Sequence, residues 1–180
     1  EDVANIFVNT NLAAAAGGIA ALLLSWVLFK KPDISMTLNG VLGGLVSITA
    51  GPDVVAGLSA VLAGAIGGVI VVFSVLALDR VRVDDPVGAI SVHGVAGLWG
   101  TAAVGIFGGA NLGVQLLGTF AYAGAAFLAG YVIFMILKFT VGLRVSPAEE
   151  VAGLDVTEHG IPGYTTDDAL RDPVVVGAGD

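Results

Sequence analysis

His93 is the one side chain between Asp85 and Lys138 that could exchange a proton near neutral pH. It sits in an apolar run opened by two carboxylates and a proline, Asp84-Asp85-Pro86-Val87-Gly88-Ala89-Ile90-Ser91-Val92-His93-Gly94-Val95-Ala96-Gly97-Leu98-Trp99-Gly100. At a rise of about 1.5 Å per residue, His93 would stand roughly 10 Å into a helix that starts at Pro86. An ionisable group at that depth in a bilayer costs a few kcal/mol unless it faces protein or water, which makes it a functional candidate by default.

On a helix, Ala89, His93, Ala96, Gly97 and Gly100 share one face, so His93 stands in a column of very small residues. The column has two readings. It is either a helix–helix contact across which His93 hydrogen-bonds, or the wall of a narrow lumen, with Ala89 and Gly97 beside the imidazole. The carboxylates before it read as a helix start: Asp85 as N-cap, Pro86 at the first helical position, and negative charge at the positive end of the dipole. Without further ligands they are neither a glycosidase pair nor a metal site.

Other chemistry is excluded by what is missing. With no cysteine, disulfides and thiolate metal sites cannot form. His159 lies in a polar tail, too far along the topology to share a metal with His93, and zinc or haem would need more ligands. There is no phosphate loop, no G-x-S-x-G and no dinucleotide fingerprint. No enzymatic activity, cofactor, metal or nucleic-acid partner is expected.

The elements that must position these residues are membrane spans. The chain is 56% hydrophobic and 12% charged, with a mean hydropathy of +0.94, outside the range of soluble domains. Most of its 27 glycines fall inside apolar runs, where they allow helices to approach closely. Five apolar segments can be drawn, at residues 5–29, 35–50, 54–78, 86–107 and 112–138. These runs are too long and too uniformly apolar for the buried helices of a soluble core. The second is short, about 22 Å of helix against a hydrocarbon core of about 30 Å. Either it leaves the membrane part-way or residues 51–55 are covered by protein at membrane depth. Asp33 and Ser35 are candidate caps for its start. Thr49 sits where it breaks, and Asn9, Asn39 and Gln115 read as polar ties to backbone or neighbouring helices.

Basic residues alternate along the loops. Lys30 and Lys31, Arg80 and Arg82, and Lys138 and Arg144 mark alternate connections, whereas residues 51–53 and 108–111 carry no cation. Five spans with Glu1 outside and Asp180 in the cytoplasm satisfy the positive-inside rule. No basic region precedes the first apolar run, so that run does not read as a signal peptide. Eight of the fifteen acids follow Ser146, in the polar tail.

The Asp84–Gly100 stretch resembles a signature of the Amt/Mep/Rh ammonium transporters. Four further stretches agree in order: Phe7-Val8-Asn9-Thr10-Asn11-Leu12-Ala13-Ala14-Ala15; Met36-Thr37-Leu38-Asn39-Gly40 with Gly43-Gly44-Leu45-Val46; Ile48-Thr49-Ala50-Gly51; and Val141-Gly142-Leu143-Arg144-Val145 with Gly153-Leu154-Asp155, His159-Gly160 and Tyr164. The resemblance implies an all-α polytopic membrane protein of eleven spans, built on an inverted repeat and assembled as a homotrimer with one pore per subunit. This chain would supply spans seven to eleven, as a transmembrane region (1–143) and a cytoplasmic tail (144–180) in the cell membrane.

The same resemblance implies an ammonia path through a hydrophobic lumen lined by a histidine pair, with the proton carried separately. His93 resembles the second histidine, Thr49 a lumen-lining threonine, and Asp84 and Asp85 helix caps. The tail residues Arg144, Gly153, Leu154, Asp155, Thr157, His159 and Tyr164 resemble a regulatory segment on which PII-type signalling proteins dock. A phosphate on Thr157, beside Asp155 and Glu158, would loosen tail packing by repulsion. Spans one to six are missing from the match, and with them the first pore histidine, the outer phenylalanine gate and the aromatic recruitment site. The remaining N-terminal spans are therefore expected partners. The alternatives are an ammonium sensor or gas channel on the same fold, or an accessory membrane subunit without a path of its own.

Loop charge makes a topology prediction. A cysteine at Asp53 should react with an impermeant thiol reagent added outside, and one at Arg82 only after the membrane is opened. The reverse pattern would invert the topology.

Overall fold

The computed structural model describes residues 2–163, and among them all regular structure is helical. Helix α1 covers Asp2–Phe29, α2 Ile34–Thr49 and α3 Leu58–Arg80. A π-helical turn, Ile90–Val95, runs into α4 (Ala96–Phe107), and α5 covers Leu112–Thr140. Two short helices, α6 (Pro147–Ala152) and α7 (Leu154–Thr157), come after it. Four helical stretches (α1, α3, Ile90–Phe107 and α5) are long and apolar enough to cross a membrane; α2, with 16 residues, is shorter. The chain divides into two compact units, Glu1–Phe127 and Leu128–Asp180.

In the first unit the usual pattern of a soluble protein is reversed. Phe7, Ile19, Leu23, Val27 and Phe73 are exposed, while Asn9, Ser25, Ser47 and Ser91 are buried. An apolar surface over a core of small and polar residues suits lipid as solvent. The core itself is built from Ala13, Ala21, Ala60, Ala63, Ala96 and Ala103, with Ile48, Val55, Val71 and Val92 as the larger members.

Glycines set the spacing of α1, α2 and α3. A Cβ on Gly44 or on Gly64 would collide with the carbonyl oxygen of Ala13, and one on Gly68 with that of Gly17. A Cβ on Gly17 would lie 2.9 Å from the Cα of Gly44. The three backbones therefore touch along α1, where dispersion contacts replace the hydrophobic drive that lipid does not supply.

The short α2 is resolved by its surroundings. Asp33 caps it as expected, accepting the Met36 N–H at 2.8 Å. At its other end, Gly51 and Val55 are buried. Buried Asn9 on α1 donates to the Pro52 carbonyl at 2.9 Å and accepts the Gly57 N–H at 3.2 Å. One side chain thus satisfies backbone at both ends of the connection, which is how irregular backbone is tolerated inside protein. Because Gly57 takes φ +57°, α3 begins at Leu58 instead of Val54.

The helix expected from Pro86 starts later. Residues 86–88 form a turn, Gly88 takes φ +74°, and regular helix begins near Ile90. Trp99 packs inside the protein: its indole N–H donates to the Ala63 carbonyl at 2.9 Å, and its ring meets Phe107 edge-on at 6.4 Å.

Gly44→Ala should destabilise the protein in detergent by about 1–3 kcal/mol, the usual cost of overpacking against backbone. Gly118 on α5 has nothing within 4 Å of an added Cβ. Gly118→Ala should therefore be neutral or stabilising by up to about 1 kcal/mol from helix propensity alone. Equal losses for both variants in a denaturation assay would refute close packing as the constraint.

Candidate functional site

The site is built on the turn that carries His93. Between Ile90 and Val95 the backbone runs in an i→i+5 pattern, and the Ala96 N–H donates to the Ser91 carbonyl. An extra residue in a turn rotates the residues before it by about 100° relative to those after it. As a result Ser91, Val92 and Ala96 all face the core, while His93 and Gly94 face outward.

Asp85 holds the start of this turn. Its carboxylate accepts the Ile90 N–H at 2.9 Å, the Ser91 N–H at 3.1 Å and the Ser91 hydroxyl at 3.0 Å. Desolvation raises its pKa, but the hydrogen bonds from Ile90 and Ser91 outweigh it, so the carboxyl lies below its ordinary 3.8. The capping expectation is thereby corrected in two respects. Asp85 caps residues five and six positions on, not a helix that begins at Pro86. Asp84 is exposed and, among the described residues, hydrogen-bonds to no backbone N–H, because the turn directs only the second carboxylate at the helix.

His93 opens onto a cleft of about 770 Å³ in the first unit. One wall is His93, Gly94, Gly97, Leu98 and Thr101; the other comes from α5 and includes Gln115, Gly118, Thr119 and Tyr122. The walls are mainly apolar, and His93 supplies their one imidazole. The Thr101 hydroxyl is turned back onto the Gly97 carbonyl at 3.1 Å. The Thr119 hydroxyl oxygen is buried and has no hydrogen-bond partner among the described residues. Also among the described residues, no cluster of three histidine or carboxylate side chains could hold a metal ion.

The small-residue column is divided. His93 and Gly97 line the cleft, but Ala96 and Gly100 are buried, Gly100 against the Ser47 backbone of α2. Ala89 is exposed and lies outside the cleft lining, since the π-turn takes it off the face of Gly97. Thr49 is also outside the lining; it is exposed and donates to the Leu45 carbonyl at 2.6 Å on its own helix. The α5 wall had a signal in the sequence: Gln115, Gly118, Thr119 and Tyr122 recur at helical spacing and form a small and polar stripe in an apolar helix.

The second unit contains the described part of the tail. Ser146 and Glu149 form a capping box at α6, and the Ser146 side-chain hydrogen bond holds the Glu149 carboxyl below its ordinary range. Arg144 pairs with Glu150 at 3.4 Å, both exposed, an arrangement of small energetic weight. Asp155, next to the half-exposed Leu154, accepts the Gly163 N–H at 2.6 Å, the chief cause of its lowered pKa; His159 adds a small charge contribution. Gly153 takes φ +96°, and its carbonyl accepts the Thr157 hydroxyl at 3.0 Å. Tyr164 lies outside the described residues.

The sequence profile of the Ammonium Transporter Family matches residues 1–164. This chain belongs to that family. It is 41% identical over 177 residues to ammonium transporter Amt2 of Archaeoglobus fulgidus, a match covering 87% of this chain and 38% of the relative. Its fold matches a structure titled Sensor Amt Protein with a TM-score of 0.82 and 36% identity, over 87% of this chain and 42% of that one. Candida albicans Mep2 matches with a TM-score of 0.70 and 27% identity, over 81% of this chain and 37% of that one. The chain thus spans less than half the length of these family members. It is an all-α membrane protein of a family of transporters, not of enzymes.

The lowered pKa of Asp85 sets a pH dependence with a definite sign. A carboxyl whose folded pKa is depressed stabilises the fold above its unfolded value and loses that contribution as pH falls through the folded one. The stability difference between wild type and Asp85→Asn in detergent should therefore be flat from about pH 7 to about pH 5 and shrink only below 3.8. A difference that changes between neutral pH and pH 5 would refute the ionised cap.

Proposed function

We propose that this chain is the C-terminal part of an ammonium transporter, spans seven to eleven with a cytoplasmic tail, and that His93 lines the ammonia path. The observation that carries this is one imidazole facing a cleft whose walls are otherwise small, apolar or neutral. Such a path penalises ammonium far more than ammonia, because a charge taken from water into an apolar site loses its hydration. An imidazole has one nitrogen that can accept a proton and one that can give it up, so it can pass the proton on.

In this mechanism ammonium gives up its proton, ammonia crosses past His93 and a partner histidine from the remaining spans, and the proton travels separately. Thr49, Ala89 and Gly97 are proposed lumen positions of the assembled pore, Thr49 and Ala89 through surfaces that this chain leaves exposed. Assembly is proposed as a homotrimer in the cell membrane, with Glu1 outside and the tail in the cytoplasm. The turn built by Gly153, Asp155, Thr157 and Gly163 is proposed as a regulatory element that a PII-type protein reads, and a phosphate on Thr157 would displace its bond to Gly153.

The likeness to the structure titled Sensor Amt Protein favours a second reading, an ammonium sensor on the same fold. Electrogenic uptake by the full polypeptide in proteoliposomes separates the two, since a sensor gives little or no current. In a transporter, His93→Ala should lower the ammonium-evoked current by about 10²-fold or more, the scale of a lost proton-transfer group, or let potassium compete. Unaltered current and selectivity would end the lumen role of His93.

A further inference from the structure

The geometry points to Asp85 as the positioning residue of His93: by holding the N–H groups of Ile90 and Ser91 it fixes the π-turn that faces the imidazole into the cleft. This rests on the reading of His93 as the group that lines the path. Asp85 itself is not among the residues that line the cleft.

In an unbroken α-helix, His93 and Ala96 lie on the same face, three residues apart. Ala96 is fully buried against Val71 and Val92, so an α-helical His93 would be turned toward that packed face. The Ala96-to-Ser91 hydrogen bond inserts one residue and separates the two side chains. Something must hold the extra residue, since i→i+5 turns are rare within α-helices.

Three bonds from one carboxylate supply that support. They are charge-assisted and therefore among the stronger hydrogen bonds in a protein. The acceptor reaches five and six residues forward, beyond the two or three of an ordinary N-cap. Gly88 makes that reach feasible. It is buried with φ +74°, and a Cβ there would meet the Asn39 side chain at 2.8 Å. Ser91 is wholly buried, so its hydroxyl needs the same carboxylate. The depressed pKa of Asp85 keeps the clamp ionised across the physiological range.

The chain has no cysteine, which makes single-thiol reporters clean. In the full polypeptide, otherwise cysteine-free, His93→Cys reports the position before the end of the turn. Gly97→Cys reports the cleft beyond it, where an added Cβ meets only Val46 Cγ1 at 3.7 Å. The rate of modification by a small methanethiosulfonate reagent is measured at each, with and without Asp85→Ala. The His93→Cys rate should fall by at least about tenfold, the scale of one charge-assisted hydrogen bond, while the Gly97→Cys rate changes by less than about twofold. Asp85→Asn, which retains one acceptor oxygen, and Ser91→Ala, which removes one of the three bonds, should shift the ratio in the same direction by less.

An unchanged ratio of the two rates, or an equal fall at both positions, would overturn the positioning role. If Asp85→Ala does not accumulate in membranes, Asp85→Asn and Ser91→Ala decide by the same ratio. Labelling reads orientation and not transport, so a His93→Ala protein with normal current would refute the path while leaving the positioning result intact.

Discussion

Backbone contact between α1, α2 and α3 is the constraint on which the rest depends. In lipid, apolar side chains gain nothing by leaving the solvent, so helices hold together only where their surfaces meet closely. Ala13 and Gly17 of α1 lie against Gly44, Gly64 and Gly68, with no space for a side chain between them. That contact fixes where α2 ends and places Asn9 beside the connection to α3. It also presents the α2–α3 surface on which Val92, Ala96 and Gly100 pack.

Polar side chains then complete the backbone where regular helix stops. Asn9 satisfies Pro52 and Gly57 between α2 and α3, and Asp85 satisfies Ile90 and Ser91 at the π-turn. Each of these groups would cost about 1–3 kcal/mol if left unpaired away from water. Ser25 and Ser47, buried inside α1 and α2, instead donate to carbonyls of their own helices. The imidazole is different: it faces a cleft and, among the described residues, completes no backbone group.

Much of the architecture was legible because lipid imposes simple rules. Long apolar runs gave α1 and α5 nearly to their ends, Asp33 marked the start of α2, and the glycines marked the packing faces. His93 was legible as the solitary ionisable group. The column around it was only half right, since Ala96 and Gly100 pack while Gly97 opens to the cleft. Periodicity assumes one pitch throughout, and the π-turn changes the pitch at the residue that matters. That Asp85 caps Ile90 and Ser91 instead of a helix starting at Pro86 was also beyond reach of the sequence, because it depends on the direction in which the Gly88 turn aims the carboxylate.

The sequence by itself determined that this is a helical membrane protein with one imidazole in its apolar part, and its motifs pointed to the ammonium transporter family. Those features come from composition, run length and residue type, which local physics reads directly. Only the tertiary structure decided which way the imidazole faces. An i→i+4 and an i→i+5 turn make nearly the same local bonds, so the selection falls to contacts from elsewhere in the chain: the Asp85 carboxylate at one end, and the buried Val92 and Ala96 at the other.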